Sequence, residues 1–308
     1  MQQRHRTVTE RLLYAVALLI AAFCALPHIG VLLAAVSAES DTLAHLAQTV
    51  LGRYTATTLI LLTLVSVGTL FIGTGAAWLV VMTDFTGRRI LEVALVLPLA
   101  FPAYVIAYAY THLLDHPGIV QSTLREVTGW GPRDYWFPEI RSLGGAALML
   151  VLVLYPYVYM LARAAFLEQS VCVIEIGRTL GRSPWRSFTS IALPLARPAI
   201  ATGIALALME TLSDYGAVQH FGVATFTTGI FRTWFGLGDP AAAAQLAAIL
   251  LAFVFLLLVG ERLTRGRARF HHTSRRYREL PRYTLHGGRA ALAFLACALP
   301  ICLGFLLP

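Results

Sequence analysis

The chain holds 308 residues, of which 57% are apolar and only 13% charged, a balance that excludes an ordinary soluble domain. Its 24 basic residues outnumber 16 acidic ones, for a net charge of +8. Every basic residue is arginine, so the chain has neither a Walker A phosphate loop, whose lysine reaches the β- and γ-phosphates, nor a lysine nucleophile.

Uncharged runs exceed the ~20 residues that cross a bilayer. They predict spans at about 12–36, 56–82, 91–113, 143–166, 198–218 and 241–260, with a seventh run at 290–308. Lipid offers backbone groups no partner, so each span must be a helix. The predicted fold class is all-α, a polytopic membrane helix bundle in the lipid bilayer. The first run is too long for a cleaved signal peptide and has no small-x-small site after it, so it reads as a retained span. Arginines cluster before span one (Arg4, Arg6, Arg11), at Arg88 and Arg89, from Arg163 to Arg197, and from Arg262 to Arg289. The alternate loops hold only Arg53, Arg125, Arg133, Arg141 and Arg232. The positive-inside rule then places the N-terminus and the 164–197 loop in the cytoplasm and 114–142 outside. This membrane-flanking bias accounts for the net charge, and no nucleic-acid partner is expected.

Span two carries Gly68, Gly73 and Gly75, small residues that let helices approach closely. Span three holds Pro98 and Pro102, each of which removes a helical hydrogen bond and predicts a kink. Its tyrosines, Tyr104, Tyr108 and Tyr110, suit either an interfacial belt or a pore wall. The external loop 114–142 mixes acids with Trp130 and Trp136, as a docking surface or as a solvated loop. In span four Tyr155 and Tyr159 share a helical face, as packing residues or as part of a substrate pathway. In span five Glu210 and Asp214 stand four residues apart on one predicted face. Carboxylates at bilayer depth are costly and mark a pathway, unless Asp214 already lies at the surface paired with an arginine such as Arg232. The segment 225–240 reads as a short interfacial or re-entrant element, and 262–289 as an Arg-rich cytoplasmic stretch. Cys24, Cys172, Cys297 and Cys302 form no C-x-x-C pair and read as packing residues; no metal site is assigned.

Between spans four and five lies Glu175-Ile-Gly-Arg-Thr-Leu-Gly-Arg-Ser-Pro-Trp-Arg-Ser-Phe-Thr-Ser-Ile-Ala-Leu-Pro194. Gly181 suits the left-handed end of one helix, Ser183 a cap for the next, and Pro184 its first turn. The loop, about 168–196, resembles the EAA loop of ABC-importer permeases. Glu175, Gly181, Ile191, Leu193 and Pro194 hold the family's spacing, with Ile176 and Gly177 in place of its two alanines. The runs 208–247 and 265–283 are similar to iron(III)-importer permeases of the binding-protein-dependent class.

That resemblance implies a six-span permease domain over 1–265, a cytoplasmic linker over 266–289, and over 290–308 the truncated start of a second transmembrane unit. It implies no catalytic residue and no cofactor in this chain: ATP and Mg would be bound by ATP-binding cassette subunits docked on the coupling loop. Glu175, Gly177, Arg178, Gly181, Pro184, Arg186, Leu193 and Pro194 are the candidate coupling residues. The other implied partners are a periplasmic iron-binding protein and a second permease half, and the implied location is the bacterial inner membrane. Permeases for thiamine, polyamine or sulfate are the competing readings. A secondary transporter would leave the coupling motif unexplained. A membrane enzyme would need a catalytic cluster, and no H-E-x-x-H is present.

Overall fold

The computed structural model describes residues 2–37, 41–168, 184–265 and 282–308. Among these, six helices are long and apolar enough to cross a membrane: Glu10–Val36, Leu51–Met82, Leu143–Leu167, Phe188–Ser213, Pro240–Leu263 and Gly288–Leu306. They realise spans one, two, four, five, six and seven of the all-α bundle. Span three is a broken pair, Arg88–Ala100 and Ala103–Thr128, whose parts meet at 92°. The expected kink is thus a full break, and two prolines explain it. Phe101 is extended (φ −104°, ψ 136°), as a residue before proline prefers, and Pro102 (φ −60°) starts the helix Ala103–Leu114. The 114–142 loop also holds a helix of its own, Ile119–Thr128.

Span five departs from expectation at both ends. It begins ten residues earlier than the sequence suggests, because Pro184–Ser187, a π segment Phe188–Ala192 and the helix Leu193–Ser213 follow one another without a gap. Pro194 has no N–H to offer and its ring crowds the carbonyl one turn back, so the helix widens there instead of stopping. It ends at Ser213, and Asp214 has left the helix (ψ 126°). Glu210 and Asp214 therefore do not share a helical face as drawn from the sequence.

The described chain forms two compact units. One comprises residues up to 52 together with 229–253. In it the side chains of span one are largely exposed, and Gln245 Nε2 donates to the Ala35 carbonyl at 3.3 Å.

The other unit comprises 53–228 and 254–308. Span four runs through its two apolar cores: Tyr155, Val158, Tyr159 and Phe166 lie in one, and Ala146, Ala147 and Met149 to Leu154 in the other. Glycines set its neighbours close. A Cβ on Gly73 would fall 2.7 Å from Val158 Cβ, and one on Gly203 would fall 2.7 Å from Val158 Cα. The seventh span belongs to the same unit. Cys297 and Ile301 enter the core, Phe305 meets Phe101 at 5.3 Å between ring centres, and the Tyr110 hydroxyl donates to the Leu303 carbonyl. Tyr283 and Thr284 pair in parallel with Thr83 and Asp84.

Candidate functional site

Three polar or aromatic sites stand out in the larger unit, each where a span meets its boundary. The first is a cavity of about 240 Å³ at the break in span three, lined by Phe101, Pro102, Leu154, Tyr157, Glu210 and Asp214. The break matters because it opens space that a straight helix would fill. Glu210 is exposed on the last turns of span five. The Asp214 carboxylate accepts the Val218 N–H at 3.0 Å, and the Asp214 carbonyl accepts from the Thr227 hydroxyl at 2.8 Å. Asp214 thus caps the short helix Gly216–His220 as well as facing the cavity. Of the candidate pathway tyrosines, Tyr155 and Tyr159 are fully buried in the core and do not line this cavity; Tyr157, on the other side of span four, does.

The second lies at the opposite end of span three. Arg88 is buried, with Nη1 donating to the Val80 carbonyl at 2.8 Å and to Glu92 Oε2 at 3.0 Å. Arg163, from the end of span four, donates through Nε and Nη2 to Glu92 Oε1. The Tyr159 hydroxyl donates to the Glu92 carbonyl at 2.7 Å. Glu92 therefore ties spans three and four together, and Arg88 extends the tie to span two. An i,i+4 Arg–Glu pair was legible at positions 88 and 92, but the third partner, 71 residues away, was not.

The third is the described part of the segment expected to couple to an ATPase subunit. Glu175, Gly177, Arg178 and Gly181 lie outside the described residues. Pro184 opens the helix Pro184–Ser187, on which Trp185 and Arg186 are exposed. Leu193 packs against the core, and Pro194 sits in the first turn after the π segment. Phe188 is buried with its ring centre 4.7 Å from that of Trp78 in span two. This aromatic contact was not legible in the sequence, although Phe188 lies between Gly181 and Pro194.

At the end of span four nearer the 114–142 loop, Arg141 Nε donates to Asp115 Oδ2 at 2.7 Å and Arg141 Nη1 to the His220 carbonyl at 3.0 Å. With Tyr108 and His112 these residues line a pocket of about 310 Å³. Burial holds the His220 imidazole below its ordinary pKa, Arg141 adding to the effect and Asp115 opposing it. The His220 ring nitrogen Nε2 lies 2.6 Å from the Thr111 hydroxyl, tying the segment after span five to span three. Among the described residues no cluster of three or more His, Cys, Asp or Glu is arranged to hold a metal ion.

The chain is 29% identical over 218 residues to the Fe(3+)-transport system permease protein FbpB 2 of Haemophilus influenzae. That match covers 71% of the chain but only 38% of the longer relative. It is 30% identical over 196 residues to the molybdenum transport system permease protein ModB of Escherichia coli K12, covering 61% of the chain and 82% of that protein. Among solved structures, a bacterial ABC transporter that imports the acidic polysaccharide alginate shares the fold, with a TM-score of 0.68 at 16% identity over 88% of this chain and 100% of that one. Residues 69–266, well over half the chain, match the family described as the binding-protein-dependent transport system inner membrane component, and the chain belongs to that multi-pass family.

Proposed function

We propose that this chain is a permease component of an ATP-driven importer and that its substrate is iron(III). Family membership supports the first part. ATP hydrolysis is then the work of separate cassette subunits held at the 168–196 loop, and a binding protein delivers substrate from outside. A second permease half completes the passage. The observation that carries the substrate reading is the cavity at the break in span three, which Glu210 and Asp214 both line. Hard trivalent iron favours oxygen ligands and negative charge. A dianionic oxyanion meeting two carboxylates is repelled, and more strongly as the dielectric falls. The likeness to FbpB 2 agrees with this reading. The likeness to ModB favours the second one, oxyanion import.

The test is uptake of radiolabelled iron beside molybdate and sulfate by cells carrying the complete transporter. Iron alone accumulates under this reading, and Glu210→Gln slows its uptake about tenfold, equivalent to ~1.4 kcal/mol in the barrier. Asp214→Asn keeps an acceptor for Val218 N–H, so a defect there reports charge rather than the lost cap. Oxyanion uptake without iron uptake sinks the substrate assignment and leaves the permease intact.

The proposed orientation has its own check. Trp136, 86% exposed, lies on the external side, and Trp185, 71% exposed, on the cytoplasmic side. In a background cleared of native cysteines, an impermeant thiol reagent labels Trp136→Cys in intact cells and Trp185→Cys only after permeabilisation. The reverse pattern refutes the topology.

A further inference from the structure

We propose that Phe188 is the positioning residue through which displacement of the coupling segment reaches spans two and four; this rests on the reading of the chain as an ATP-coupled permease. The coupling segment and span five are one helical run from Pro184 to Ser213, so a push on its exposed end moves the helix that carries Glu210. Spans two and four are not part of that run and need a contact to follow it. Phe188 supplies one. Its ring centre is 4.7 Å from Trp78 of span two and 6.4 Å from Phe166 at the end of span four. Trp78 and Phe166 themselves meet edge-on at 5.8 Å. On the other side Phe188 lies 5.5 Å from Trp185, which is exposed where a cytoplasmic subunit would bind. The four rings therefore form a continuous path from the loop surface to two neighbouring spans.

Two features make this path directional. Aromatic rings are rigid and prefer tilted or edge-on contacts, so turning the segment re-aims Phe188 against Trp78 instead of being absorbed by a flexible side chain. Phe188 is also the first residue of the π segment, where the helical ladder is widened and bends more readily than an α-helix. The contact thus sits at the point where the run changes pitch. A push on Trp185 is divided there between span five, by the backbone, and spans two and four, by the rings.

The experiment uses the complete transporter, with its ATPase subunits and binding protein, in proteoliposomes. Phe188→Leu keeps an apolar side chain and removes the ring. The expected result is that ATPase subunits stay bound through purification while the ratio of stimulated to basal ATPase falls about tenfold and uptake falls with it. Trp78→Phe, a milder change that keeps a ring, gives the same pattern at about threefold and serves if Phe188→Leu does not accumulate. The double variant is no worse than Phe188→Leu alone, as expected for two residues in one path. A loss of uptake that merely tracks lost ATPase subunits, or stimulation within twofold of the parent in both variants, overturns the proposal. A parent complex that binds no ATPase subunit overturns the permease reading, and the relay with it.

Discussion

Gly203→Val and Gly73→Val are each expected to abolish accumulation of the folded protein, whereas Gly75→Ala is expected to leave it unchanged. The two sensitive glycines grip the same turn of span four from opposite neighbours. A Cβ on Gly203 would lie 2.7 Å from Val158 Cα and 3.1 Å from the Tyr157 carbonyl oxygen. One on Gly73 would lie 2.9 Å from both the Tyr155 carbonyl oxygen and the Tyr159 nitrogen. These obstacles are backbone, which cannot swing aside as a side-chain tip can. Membrane helices associate through close packing, without a hydrophobic drive between them, so forcing two apart removes the main attraction. Overpacking alone costs about 1–3 kcal/mol, and a backbone clash at the hub of the bundle exceeds that range. Gly75 has nothing within 4 Å of its would-be Cβ, so alanine adds helix propensity without a clash. Membrane-fraction abundance and monodispersity in detergent read the outcome. A monodisperse Gly203→Val protein at parental yield would show that spans four and five do not pack as described.

Glu92→Ala is the second large effect, a loss of about 3 kcal/mol, because it strands a buried cation. Arg88 has 7% of its side chain exposed, and Glu92 accepts from it and from Arg163. Asp84 stands 3.6 Å from Arg88 Nε but is 59% exposed, so it is screened by water. Asp84→Asn accordingly costs under about 1 kcal/mol. The contrast appears as thermal unfolding in detergent, with Glu92→Ala lowering the midpoint by on the order of 10 °C and Asp84→Asn by a third of that or less. Equal shifts for the two variants would mean that Arg88 is not held mainly through Glu92.

The spans, their number and their helical nature were legible because bilayer thickness and backbone hydrogen bonding leave a long apolar run one solution. The family was legible because the spacing of its motif is local. The prolines of span three announced a kink, yet the 92° break and the cavity beside it depend on what fills the space around Phe101, including Phe305 more than two hundred residues along. A helical wheel puts Tyr155 and Tyr159 on one face and Tyr157 on the other, without saying which face meets a cavity. Which of them reaches the cavity is decided by Gly73 and Gly203, which bring spans two and five against the Tyr155–Tyr159 turn. Glu210 and Asp214 share a helical face only while the helix is drawn through position 214; the chain leaves the helix there, and the Asp214 carboxylate both faces the cavity and accepts the Val218 N–H. Phe188 carried no pattern that set it apart, since a ring's function here lies in Trp78 and Phe166, which only the folded bundle brings to it. Local rules of length, charge and turn chemistry act within one segment and are written in its residues. Cavities, ion clusters and ring paths are made between segments, and their positions follow from packing that no single stretch encodes.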